Sequence, residues 1–195
     1  MTVITFIKEG KSKSMYFDKS GKSNTLKTVK LALKAAKDRN ISDIVVASCS
    51  GSTAAMLKGA GLNIVCVTHV NGFKVAGENE MPDDTRRELI AGGIKVLTAS
   101  HALSGAERGL SRKFGGAYPV EVIAHSLRML GQGTKVCIEI AVMALDAGLI
   151  PYGGPVIAIG GTAEGADTAV ILTPAYSSGI LDTKLHEIIC KPYSF

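Results

Sequence analysis

The sequence has no tryptophan, and its aromatic content is only 5%. That scarcity argues against a stacking platform for single-stranded nucleic acid. Paired cysteines are missing too. Cys49, Cys66, Cys137 and Cys190 are widely separated, with no CxxC pair, so neither a zinc site nor a redox dithiol is signalled. Long hydrophobic runs are also absent. The apolar stretch at residues 3–7 is too short for the core of a signal peptide or for a membrane span, which predicts a cytoplasmic protein with no membrane partner.

What remains is the composition of a packed domain. Hydrophobic residues make up 46% of the 195 positions and charged ones 20%, which excludes disordered and fibrous classes. The formal net charge is +5, and much of the excess lies in the first forty residues. Lys27, Lys30, Lys34 and Lys37 recur at the spacing of one helix face, opposite Leu26, Val29, Leu33 and Ala36. A solvated helix face accounts for that pattern, and no nucleic-acid motif accompanies the charge.

Residues 1–14 read as an extension, with room for one short strand, ahead of a single domain at 15–195. Asn24-Thr25 offers a helix cap before the pattern at 26–39, and Asn40 suits its end. The apolar runs 44–47, 64–67 and 94–97 read as strands covered on both faces. Helices are expected between them, near 52–59 and from Pro82 to about 91, after a long glycine-containing loop at 69–81. Further helical patterns follow at about 120–130 and 135–147. Strands 156–159 and 169–172 are joined too tightly for a helical crossover, so they are expected to be antiparallel neighbours, with 186–190 as an edge strand. The whole predicts a three-layer α/β/α domain on a mixed, mostly parallel sheet.

The strongest local signal is the turn Ser48-Cys49-Ser50-Gly51-Ser52-Thr53 at the carboxyl end of the first core strand. Open α/β sheets bind ligands at such ends, and a helix start there offers free N–H groups to an anion. Ser48, Ser50, Ser52 and Thr53 add four hydroxyls where simple capping needs one. A phosphate-bearing small molecule is the expected partner. Gly10-Lys11-Ser12 and Gly21-Lys22-Ser23 lack the upstream glycine of a nucleotide-binding loop, and Gly131-Gln132-Gly133 lacks the rest of a dinucleotide fingerprint. His69 and His101 fall just past strand ends on the same edge, placed either for acid–base work or for ligand contact. Arg108 and Arg112 are four apart and would share a helix face, able to grip an anion or to pair with Glu107 or a partner subunit. Glu139, set among apolar residues, needs a buried partner. The loop 160–168, with Gly160, Gly161 and Thr168, reads as a flexible hairpin or as a lip over a bound phosphate.

Several strings together carry a family resemblance running from about Met15 to Pro192. They are Asn24-Thr25, Val46-Ala47-Ser48, Gly77-Glu78-Asn79 with Met81-Pro82, and Ser100-His101 with Leu103-Ser104-Gly105. Ser111-Arg112-Lys113, the stretch from Lys135 to Ile140, that from Gly165 to Val170, and Glu187-Ile188-Ile189-Cys190 complete them. The chain resembles the C-terminal α/β domain of pyruvate kinase, and more closely a family of small, mostly archaeal proteins made of that domain alone. The resemblance implies the corresponding fold, no pyruvate kinase activity, and flavin mononucleotide (FMN) as the ligand. The FMN phosphate would sit at the Ser50 turn and its ring would meet Phe73 or His69, with Gly72, Ser100, His101 and the Gly160 loop as neighbours. Two other functions stay open: an FMN-dependent oxidoreductase using His69 or His101, and a module sensing a phosphorylated metabolite, either of them possible as a homo-oligomer. Thr162 and Glu164 stand where relatives tend to be basic, so a second anion contact is not expected in that loop.

Overall fold

The computed structural model describes residues 14–195; the expected extension and its short strand lie outside the described residues, except for Ser14. The chain begins with β1 (Met15–Phe17), then a single 3-10 turn at Lys22–Asn24 leads directly into α1 (Thr25–Arg39). Asn24 holds the N-cap position, but its side chain donates to the Lys19 carbonyl (2.7 Å) and does not cap the helix. Asn40 closes α1 in the left-handed region at φ 52°, which asparagine tolerates. The four lysines lie on the exposed face as expected, while Thr25, Thr28, Val29, Ala32, Ala35 and Ala36 are buried. Leu26 stays exposed, so the buried face is built from smaller residues than the leucine pattern implies.

Next come β2 (Asp43–Ala47), α2 (Ser52–Ala55), β3 (Asn63–Val67), α3 (Asp83–Ala91) and β4 (Lys95–Leu97). α2 is a single turn, shorter than the helix expected to 59, and Pro82 precedes α3 as its N-cap. The polar stretch after β4 forms α4 (Gly105–Phe114), a helix not among the expected elements. α5 (Pro119–Arg128), α6 (Gln132–Asp146), β5 (Val156–Gly160), β6 (Thr168–Thr173) and β7 (Lys184–Pro192) complete the chain, with a short 3-10 stretch at Ser177–Asp182.

The seven strands of the described residues form one sheet in the order β1-β7-β6-β5-β2-β3-β4. β2 to β5 are mutually parallel, and β6 runs antiparallel between β5 and β7, as the short connection requires. β7 is not an edge strand: β1 pairs parallel with it from Cys190 to Pro192, burying its end.

Period-two alternation divides the core between two faces. Ile44 and Val46 of β2 join the cluster under α1, while Val45 joins the one under α6, and all three are fully buried. Each such side chain contributes about 1.5–3 kcal/mol on burial. α6 is buried along nearly its whole length, which explains its apolar sequence on every side. The parallel strands β2, β3, β4 and β5 therefore end on one edge, with α1 and α6 closing the two faces behind it.

Candidate functional site at the carboxyl edge of the sheet

Ser48 follows β2 directly and is buried. Its hydroxyl accepts the N–H groups of Thr53 (3.2 Å) and Ala54 (3.5 Å), so it caps α2 from five residues away. Thr53 is also buried. Only Ser50 and Ser52 face solvent, their hydroxyl oxygens 3.0 Å apart. Gly51 adopts φ 85°, and a Cβ on it would stand 2.7 Å from Thr85 Cγ2 of α3. Its glycine character is thus required by close packing of α2 on α3. The helix start contributes fewer free donors than the four-hydroxyl pattern implies, because two of its N–H groups are already satisfied.

His69 follows β3, and its ring lies 3.8 Å from that of Phe73, centroid to centroid. His101, beyond β4, lies 5.5 Å from His69 and 5.6 Å from Phe73, so three rings gather at one place. Phe73 is half-exposed, which leaves ring surface free for a ligand. Gly72 makes the preceding turn at φ 75°, its N–H bonded to the Glu78 carbonyl (2.7 Å).

Glu80 organises this corner. One carboxylate oxygen meets His69 Nδ1 at 2.5 Å and the other meets Lys74 Nζ at 2.6 Å. Burial opposes ionisation of Glu80, but the hydrogen bonds from Lys74 and His69 outweigh it and hold its pKa below the ordinary value. Cys49 stands beside them, with its Sγ, a His69 ring nitrogen and a Glu80 oxygen all within 4.8 Å of one another. Burial pushes the Cys49 thiol up, so at neutral pH it is protonated and a weak nucleophile. Burial likewise lowers the pKa of His101, against the Glu139 carboxylate and with help from nearby His69, Lys135 and Arg108.

Beneath His101, Glu139 accepts the Leu103 N–H (2.9 Å) and pairs with Lys135. This is the buried partner that Glu139 requires. Arg108 has no carboxylate partner among the described residues, and Glu107 is engaged elsewhere, accepting the Glu121 N–H at the start of α5 (2.9 Å). A cleft of about 570 Å³ opens next to His101, lined in part by Ser100, Ser104, Gly105, Val120 and Met143. Ser100 is exposed and sits over Gly105, whose added Cβ would meet the Ser100 hydroxyl at 3.0 Å.

Gly160 ends β5 on the same edge, but the loop after it is committed to the protein itself. Asp167 is fully buried and accepts the N–H groups of Gly21 (2.9 Å) and Thr162 (3.2 Å) and the Thr168 hydroxyl (2.8 Å). The Ala166 N–H bonds to Thr25 Oγ1 (3.0 Å), tying the loop to the start of α1. Thr168 lies buried over Gly133, and Gly160 and Gly161 are close-packed against backbone. Thus Ser50, Ser52, His69, Phe73 and His101 share one open corner, while Ser48, Thr53, Gly160 and Thr168 turn inward. Cys49 and Glu80 were not singled out from the sequence. Cys49 carries a signal in its place between β2 and the hydroxyl turn, whereas Glu80 lies in a loop where nothing marks it.

An open sheet of mostly parallel strands, helices on both faces and a polar corner at the strand ends together define a three-layer α/β protein. Residues 26–172 match the family model for the pyruvate kinase alpha/beta domain, and the chain belongs to that family. The resemblance to the pyruvate kinase C-terminal domain, and the fold it implies, are confirmed by this match. Similar solved structures include a pyruvate kinase from Cryptosporidium parvum, at 17% identity and a TM-score of 0.37 over 72% of this chain and 21% of that one. A pyruvate kinase of the same organism in complex with ADP gives 18% and 0.38 over 74% and 22%. An SAH-bound methyltransferase from Podospora anserina gives 16% and 0.29 over 68% and 51%. The chain thus spans little more than a fifth of the kinases it matches. No helix among the described residues is long and apolar enough to cross a membrane.

Proposed function

We propose that this protein binds a flat, phosphate-bearing small molecule, with FMN as the leading candidate, at the corner formed by Ser50, Ser52, His69, Phe73 and His101. The observation that supports it is the gathering of three rings beside Cys49, the residue that precedes the outward-facing Ser50–Ser52 hydroxyl pair. Ring surface suits a planar heterocycle, and the Ser50 and Ser52 hydroxyls can donate to phosphate oxygens. Arg108, without a carboxylate partner among the described residues, adds positive charge near His101. Four unpaired thiols suit the reducing cytoplasm.

Titrating the protein into FMN and following flavin fluorescence tests this reading. Saturable quenching is expected, weakened strongly by Ser50→Asp or Ser52→Asp, which place a negative charge where the phosphate would lie. Absence of saturable quenching, or unchanged affinity in both variants, would sink the FMN assignment.

One observation favours a second reading, an FMN-dependent oxidoreductase. Burial favours the neutral form of His101 beside the other rings, which leaves a free ring nitrogen to accept a proton from a bound ligand. Bleaching of bound flavin by NADH, abolished in His101→Gln, is the expected sign of that activity.

A further inference from the structure

We infer that Cys49, His69 and Glu80 form a binding site for a single borderline-soft divalent cation of the zinc class. The three donors come from three separate segments: the turn after β2, the loop beyond β3, and the loop ahead of α3. Their ligating atoms lie within 4.8 Å of one another. A tetrahedral ion with bonds of about 2.0–2.3 Å holds its donors about 3.3–3.8 Å apart. Closure therefore asks for side-chain shifts of about an ångström and no change of fold.

The donor set is selective. Sulfur and imidazole nitrogen with one carboxylate suit zinc, cobalt and related ions and do not suit magnesium or calcium, which take oxygen ligands. Three protein ligands leave a fourth position for water or a ligand group, the arrangement of reactive rather than closed structural sites.

The surroundings support the ligands. Asn79 accepts the Met81 N–H (2.8 Å) and donates to Asn71 (2.6 Å), which braces the loop on either side of Glu80. Lys74 holds the second Glu80 oxygen at 2.6 Å, so one oxygen can ligate while the other keeps a hydrogen-bonded partner. The charges facing the site are Lys74 and Glu80 itself, with His101 on the open side. Binding replaces the thiol proton of Cys49, which leaves to solvent; the His69 proton between Nδ1 and Glu80 either moves to the other ring nitrogen or, from a charged imidazole, leaves to solvent.

The test is a titration of the full chain with cobalt(II), followed by absorption. One equivalent should bind with a sulfur-to-metal charge-transfer band and intense tetrahedral ligand-field bands, and zinc should displace it. Cys49→Ser should abolish the charge-transfer band, and Glu80→Gln should weaken cobalt binding by about tenfold or more. Circular dichroism and the urea midpoint establish that each variant folds. A folded wild type that takes up no cobalt, or a Cys49→Ser protein that keeps the charge-transfer band, overturns the assignment. Because the readout uses cobalt alone, it is independent of whether FMN binds.

Discussion

Lys135 and Glu139 form an ion pair one turn apart on α6, with both side chains almost wholly buried. Burial pushes the Lys135 amine below its usual pKa, and the Glu139 carboxylate opposes that shift. Glu139 also accepts the Leu103 N–H, so it anchors the segment that carries His101. Glu139→Ala leaves a buried ammonium and a buried amide unpaired and should cost about 3–5 kcal/mol. Urea denaturation is the measurement. A loss below about 1 kcal/mol would mean that solvent reaches Lys135.

His101 leads to a prediction on pH. Its ordinary value is 6.5 and burial lowers it in the folded protein. Between the folded pKa and 6.5 the unfolded chain binds more protons, so stability rises with pH across that window. The contribution is complete above 6.5 and is lost as pH falls through the folded value. His101→Gln should therefore show a smaller loss of stability than the parent between pH ~7.5 and ~5. Equal losses in urea titrations at the two pH values would count against the burial of His101.

Asp167 ties the loop after β5 to the chain's first described turn, 146 residues earlier in sequence. Asp167→Ala strands three donors and should destabilise by about 3 kcal/mol, a clear fall in the urea midpoint. Asp167→Asn, which keeps an acceptor, should lose less. If both variants lose equally, the charge and not the acceptor is what the loop needs.

Gly51 is required twice over. Alanine there would sit in the left-handed region and also press its Cβ to 2.7 Å from Thr85 Cγ2. The backbone and steric penalties together amount to about 2–4 kcal/mol. Thr85→Ser removes the clashing methyl and should restore the steric part in the double variant. No recovery in thermal unfolding would assign the whole loss to the backbone.

Much of the framework could be read from local pattern. Buried β2, β3 and β5 announced themselves as short apolar runs, and Asn40 marked a helix end by a chemistry local to itself. α4 escaped although Ala106, Leu110 and Phe114 recur at helical spacing, because Gly105 and Gly109 weaken the helical signal and the stripe stays exposed. β1 escaped for a related reason: three residues gain strand character only through their pairing with β7. The hydroxyl turn was visible as a string, but which hydroxyls face out was not. Ser48 and Ser52 differ in role because Ser48 reaches the N–H groups of Thr53 and Ala54 from the end of β2.

The linear order of residues was enough to specify a mixed α/β sheet, its antiparallel β5–β6 step and the sheet edge that carries the hydroxyl turn. Those properties follow from periodicity and connection length, which are local. The corner of Cys49, His69, Glu80 and His101 came only with folding. Its members sit after different strands or in a loop, and parallel pairing of β2, β3 and β4 brings those ends together. The pairing of Asp167 with Gly21 is of the same kind, since only the folded chain brings a buried carboxylate against an amide so far away in sequence.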